Sequence, residues 1–181
     1  MEEKMERKIP AKQELVLAEG DTSRIPLPAL MDVTVEAMYV DFRRRLEESG
    51  INDVRPTHGC VFRFLHGDGM RLTELASFAG LTKQSVGEIV DDLATLGYLE
   101  RYPDPTDKRA KLIRLTEQGL GAQRIGFSLF AELEEDWAEA FGADRIAALR
   151  SLLEEVALAK APAAVPQLSR PAGTPEPAPI A

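Results

Sequence analysis

The sequence predicts a mainly α (α+β) fold in which a helix–turn–helix and a charged hairpin sit between long amphipathic helices. Three observations carry this prediction. First, Leu72–Thr116 reads as two short helices, a glycine turn and a hairpin. Second, long apolar stripes precede and follow that stretch. Third, Pro and Gly fall between the periodic segments, and no run alternates long enough for an extended sheet.

In chain order, residues 1–27 are mostly charged and read as a mobile arm or weak helix. Residues 28–49 form a long helix with Leu30, Val33, Ala37, Val35, Met38, Phe42 and Leu46 on a broad apolar face, stopped by Gly50. Arg43, Arg44 and Arg45 near its end complement the helix dipole. A further helix is expected over Thr57–Leu65, followed by the turn His66–Gly69. The next runs from Thr73, as cap, through Leu75, Ala76 and Ala79 to Gly80, which suits the left-handed position past a helix end. From Thr82 to Leu96, Val86, Ile89, Val90, Leu93 and Leu96 make one apolar stripe, and Gly97 ends it. Lys83, Gln84, Ser85 and Glu88 occupy the opposite face. Such a pair of helices, the second with free polar side chains in its first turn, is the arrangement that presents a helix to the DNA major groove.

Leu99–Tyr102 and Lys111–Leu115 are expected to pair as strands around the loop Pro103–Ala110, which its prolines stiffen. Asp107 and Arg109 are two apart at the tip, so the carboxylate is placed to orient the guanidinium. That pair reads either as an arginine held for a narrow minor groove or as a plain surface ion pair worth about 0–1 kcal/mol. Thr116 caps a helix to Phe141, with Ile125, Leu129, Phe130, Leu133 and Trp137 on its stripe. Asp144 is expected to cap the last helix, 143–160, in which Ile146, Leu149, Leu153 and Val156 recur. These stripes exceed what one small core covers, so helices 28–49, 116–141 and 143–160 are expected to pair with a second copy in a two-fold dimer. Residues 161–181 hold six prolines among alanines and are expected to be disordered.

Composition limits the alternatives. The 181 residues suffice for one domain with tails, and the net charge is −8. Residues 70–116 hold seven basic and seven acidic side chains, so much of the acidity lies elsewhere. Arg101, Lys108, Arg109, Lys111 and Arg114 gather at the hairpin, where a locally positive face can form. One cysteine, Cys60, leaves no internal disulfide. With no leader-like run, the chain is expected to be cytoplasmic, and no membrane span is expected. Two histidines and one cysteine are too few for a zinc centre, so no metal or cofactor is expected. Neither a phosphate loop nor a nucleophile elbow occurs, and no enzyme is expected.

Leu72–Gly119 resembles the winged helix-turn-helix segment of the MarR-type (multiple antibiotic resistance regulator) transcriptional regulators. The features that coincide are LTELA before the turn, Val86-x-x-Ile89-Val90-x-x-Leu93-x-x-x-Gly97-Tyr98-Leu99, then DPTDKRA and LIRLTEQG. The long flanking helices agree with the family's dimerisation region, and the likeness covers roughly Pro28–Lys160, with the reader at 56–116.

The resemblance implies a homodimeric, sequence-specific DNA-binding regulator, commonly a repressor released by a small aromatic or phenolic ligand. Its DNA would be a double-stranded, pseudo-palindromic operator. The resemblance makes Thr82–Leu96 the major-groove helix, reading with Lys83, Gln84, Ser85 and Glu88. Arg109 would enter the minor groove, oriented by Asp107, while Lys108 and Arg101 would meet phosphates. A carboxylate at Glu88 would accept from cytosine N4 or be repelled from the groove. Asp91 and Asp92 add negative charge to the same helix. By the same analogy Tyr39, Phe42, His58 and Phe62 are candidate effector contacts, each of which also reads as ordinary core. Cys60 lies away from the position of the family's redox thiols and reads as a buried inert thiol. The acidic total supports a different class of function, a winged-helix interaction module that no longer reads DNA.

Overall fold

A computed structural model describes residues 25–160 except Asp68, Lys108 and the side chain of Lys160. The expected N-terminal arm up to residue 24, and the tail after 160, lie outside the described residues. Helix α1 spans Leu27–Glu48. Up to Asp41 it belongs to a separate compact unit and is described by itself. In that part Leu27, Met31, Val35 and Val40 are exposed, and the Thr34 hydroxyl donates to the Leu30 carbonyl.

The second unit begins at Phe42. Instead of one helix over Thr57–Leu65, a 3-10 turn at Pro56–His58 leads into α2, Gly59–Phe64. Proline suits the first position of such a turn, where its missing N–H is not needed. Helix α3 is Leu72–Ala79, and its cap is Arg71 rather than Thr73. The Glu74 carboxylate reaches back to accept from the Arg71 N–H at 2.8 Å, the carboxylate half of a capping box. Helix α4 is Lys83–Thr95. Strands β2, Leu99–Pro103, and β3, Lys111–Leu115, pair antiparallel with Leu99 opposite Leu115 and Pro103 opposite Lys111.

A strand not foreseen in the sequence completes the sheet. Met70–Arg71 forms β1 on the other edge of β3, giving the order β1-β3-β2. Two residues are too few to show alternation. The signal that was available is Gly69, whose φ is +92° and where a Cβ would lie 2.4 Å from the Ile113 carbonyl oxygen. Only glycine lets the chain come so close to β3.

The core gathers between α2, α3, α4 and this sheet. Val61, Leu75, Val86, Val90 and Leu93 are fully buried, with Leu65 and Ile113 nearly so. Apolar side chains of this size contribute about 1.5–3 kcal/mol each on full burial, so α4 is held firmly by its inner stripe. Helix α5, Glu117–Phe141, starts at the expected cap: the Thr116 hydroxyl oxygen accepts from the Gly119 N–H at 3.1 Å. Gly119 abuts the chain entering β2, since a Cβ there would lie 2.1 Å from the Tyr98 carbonyl oxygen. Buried Gln123 donates to the carbonyls of Phe62 and Leu65 at 2.6 and 3.0 Å, tying α5 to the end of α2. Helix α6, Ala143–Lys160, follows Gly142 directly, so Asp144 falls in its first turn and does not cap it. Arg150 of α6 pairs with Glu134 of α5. Leu149, Leu153 and Val156 remain exposed.

Candidate nucleic-acid interface

The turn between α3 and α4 sets the exposed face of α4. Gly80 takes φ +65°, and the Leu81 N–H bonds back to the Ala76 carbonyl at 3.1 Å. The chain then leaves α3 and restarts at Thr82 within two residues. The Thr82 hydroxyl accepts from the Ser85 N–H at 3.1 Å and shares a hydrogen bond with the Ser85 hydroxyl at 2.8 Å. Thr82, Lys83, Gln84, Ser85 and Glu88 are all exposed, as the sequence predicted. Ser85 is partly engaged in the cap. The Gln84 amide donates to Glu88 Oε1 at 3.3 Å.

Asp91 and Asp92, which add negative charge to α4, both have partners within the chain. Asp91 accepts from Arg101 at 2.5 Å. Arg101, expected at phosphate, is therefore turned onto α4 instead. Asp92 pairs with Arg55 and accepts from His58 Nε2 at 2.8 Å. His58 Nδ1 accepts from the Arg55 backbone N–H at 3.1 Å, which places the ring proton on Nε2 toward Asp92, with the Arg55 Nε alongside at 3.3 Å. Burial, then the neighbouring Arg55 charge, lowers the His58 pKa against a smaller opposing effect of Asp53. Both carboxylates on this side of α4 are thus neutralised within the protein.

At the hairpin tip the organiser is Asp104, not Asp107. Asp104 is 4% exposed and accepts five hydrogen bonds. The Thr106 hydroxyl and N–H donate to Oδ1 at 2.6 and 2.8 Å, joined by the Asp107 N–H at 3.3 Å. Arg71 donates Nε and Nη2 to Oδ2 at 2.9 and 2.6 Å. The Thr106 hydroxyl, then Arg71, hold the Asp104 carboxyl well below the usual carboxylate range. The tip is thereby fastened to the residue that precedes α3.

Asp107 accepts from the Arg109 backbone N–H at 3.0 Å rather than from its guanidinium. The expected orientation of the guanidinium by Asp107 is thus replaced by a turn that fixes the Arg109 backbone. A contact two residues apart reaches the near N–H more readily than the end of a long side chain. Among the described residues the Arg109 guanidinium has no ion-pair partner, and neither do Lys83 and Lys111. Lys108 lies outside the described residues. Arg114 is committed elsewhere: it donates to Glu100 at 2.6 Å and lies 4.5 Å from the Tyr102 ring centroid.

Of the candidate effector residues, Phe42, His58 and Phe62 belong to the second unit, and each is engaged in other contacts. Tyr39 lies on the first part of α1. Phe42 stacks on Phe130 with centroids 4.2 Å apart. His58 has both ring nitrogens occupied, and Phe62 meets Tyr98 edge-on at 5.9 Å. A shallow groove of about 410 Å³ is lined by Arg44, Arg45, Glu48, Ser49, Leu129 and Glu132, and by none of the four. The Cys60 thiol donates to the Thr57 carbonyl at 3.2 Å, and burial pushes its pKa up, in keeping with an unreactive thiol. Among the described residues no group of three or more acidic, histidine or cysteine side chains could hold a metal, and no helix is long and apolar enough to cross a membrane.

Arg71 and Asp104 are the residues the sequence reading missed. A signal was present in the run Asp104-Pro-Thr106-Asp107, since Asp commonly accepts from the backbone two residues on. The partner lies 33 residues away, which no local pattern reveals.

Residues 52–110 match the model of the MarR family. Over 70 residues the chain is 38% identical to the HTH-type transcriptional regulator YdcH of Bacillus subtilis, covering 39% of this chain and 46% of that protein. Over 88 residues it is 32% identical to the multiple antibiotic resistance protein MarR of Escherichia coli, covering 46% and 58%. The chain thus spans about half the length of the curated relatives it matches. Among solved structures, the transcriptional repressor CouR bound to a 23-mer DNA duplex shares the fold with a TM-score of 0.62 at 23% identity, covering 83% of this chain and 99% of that one. The PcaV transcriptional regulator of Streptomyces coelicolor, in complex with its natural ligand, gives 0.56 at 25% identity, covering 77% and 96%.

Proposed function

We propose, from the match of residues 52–110 to the MarR-family model, that the chain is a homodimeric, sequence-specific DNA-binding transcriptional regulator. Its domain would be 28–160, with helices 28–49, 116–141 and 143–160 forming the dimer. The observation that carries the proposal is the pairing pattern of the charged residues. The acids of α4 other than Glu88 are neutralised internally, while Lys83, Arg109 and Lys111 keep their charge unpaired among the described residues. Unpaired cations on a capped helix and a fastened hairpin tip suit a polyanion. In this reading the first turn of α4 enters the major groove and Arg109 the minor groove.

Further support comes from the similar structures, since CouR is a repressor bound to a DNA duplex and PcaV a regulator in complex with its natural ligand. Repression relieved by a small aromatic or phenolic effector, and a cytoplasmic location, belong to the same proposal. Exposed Leu149, Leu153 and Val156 on α6, and Met31 and Val35 on α1, support assembly with a second copy.

The test is a footprint on the DNA upstream of its own gene at low salt. Two protected half-sites about 10 bp apart are expected, with affinity weakened about tenfold by Arg109→Ala and falling steeply with salt. Wild-type protein that shows no sequence-preferring binding at low salt overturns the proposal. The net charge of −8 favours the second reading, an interaction module without DNA reading, which that same outcome would support.

A further inference from the structure

Glu88 differs from every other carboxylate on α4. Asp91 and Asp92 are each held by cations of the same chain, whereas Glu88, exposed on the face that also carries Lys83 and Gln84, has no cation partner among the described residues. Its only hydrogen bond there comes from Gln84, one turn back. A carboxylate accepts only, so its contact at 3.3 Å sets the orientation of the Gln84 amide, with Nε2 toward Glu88 and the amide oxygen away. The couple then presents two groups side by side: Glu88 Oε2, an acceptor, and the second Gln84 Nε2–H, a donor.

We propose that Gln84 and Glu88 together read one C·G base pair in each half-site, with Glu88 on the cytosine. The inference rests on the DNA-binding reading above. In the major groove a C·G pair shows the cytosine N4 donor beside the guanine O6 acceptor, complementary to the acceptor and donor of the couple. Adenine N6 is also a donor, but adenine N7, an acceptor, flanks it and faces the carboxylate with like charge. Cytosine N4 is flanked by C5–H, which offers no such repulsion. Opposite a guanine or thymine edge Glu88 would be desolvated against acceptors, so the carboxylate excludes wrong bases as strongly as it selects the right one. The exposed face of α4 suits this role, because Thr82 and Ser85 spend their hydroxyls on the cap and leave Gln84 and Glu88, one helical turn apart beside Lys83, able to reach base edges.

The experiment is enrichment of bound fragments from random duplex DNA by the full-length chain at low salt, run in parallel for wild type, Glu88→Gln and Glu88→Ala. Unchanged thermal midpoints would verify that these surface variants fold. Wild type is expected to enrich a C·G pair at one fixed position of each half-site. Both variants should lose about tenfold of the preference at that position, with the rest of the motif retained. If wild type enriches a motif that the variants reproduce at every position, or if the variants bind all sequences more tightly by one common factor, the base-reading role is overturned while the DNA-binding reading stands. If wild type enriches nothing, the DNA-binding reading fails and this inference with it.

Discussion

Helix α4 buries Val86, Val90 and Leu93 completely, whereas α6, with Ile146, Leu149, Leu153 and Val156 at helical spacing, leaves Leu149, Leu153 and Val156 between 43% and 49% exposed. The two stripes look alike in sequence. Their difference lies in what surrounds them: α4 faces α2, α3 and the sheet within one chain, while the outer stripe of α6 has no such seat among the described residues. Periodicity therefore reports that a face is to be covered, and leaves open whether the cover comes from the same chain. In the proposed dimer, the apolar stripe left open on a helix pinned to α5 by Arg150 and Glu134 is where the second copy would sit.

The comparison is broken first at α4. Leu93→Ala should cost about 3 kcal/mol of unfolding free energy, read as a lower urea midpoint with unchanged slope. A loss well under 1 kcal/mol would mean that α4 is not seated by its stripe. At α6, Leu149→Asp combined with Leu153→Asp should leave the far-ultraviolet circular dichroism per chain nearly unchanged. The same double substitution should raise the dimer dissociation constant about a hundredfold, roughly 2.8 kcal/mol, measured by sedimentation equilibrium. Assembly untouched by the double substitution would remove the contrast between the helices.

The polar edge of α4 gives the smallest effect. Because the folded His58 pKa is lowered from its ordinary value of 6.5, the unfolded chain binds this proton more readily. The stabilisation from the neutral ring is therefore full above pH 6.5 and is lost as pH falls through that value toward the folded pKa. The thermal midpoint should drop between pH 7 and pH 5, and His58→Gln should flatten that slope even though it lowers the midpoint overall. Equal slopes in the two proteins would place the pH dependence in other groups.

Much of this fold was legible because its signals are short-range. Thr82 and Thr116 cap the helices they were expected to cap, and Gly80 and Gly142 stop those that precede them. The exposed polar face of α4 could be read for the same reason. What escaped is long-range or too short to show a pattern. Strand β1 is two residues, and its existence depends on β3, more than forty residues later. The bonds of Asp104 to Arg71 and of Asp92 to His58 join residues 33 and 34 apart. The counter-ions of α4 could not be read either: counting charges marked Asp91 and Asp92 as liabilities, and only tertiary contact reveals them as partners of Arg101, Arg55 and His58. The role given to Asp107 missed for the opposite reason. Proximity in sequence suggested a side-chain pair, and the nearer backbone N–H took the carboxylate instead.

At Gly119 the start of α5 is pressed onto the Tyr98 carbonyl with no room for even a methyl group. Mechanically, that junction is a weld and not a joint. Helix α5 has 25 residues and, at about 1.5 Å per residue, is roughly 37 Å long. With no slack at its base, any side chain placed at Gly119 would have to push α5 off the strand that follows Tyr98.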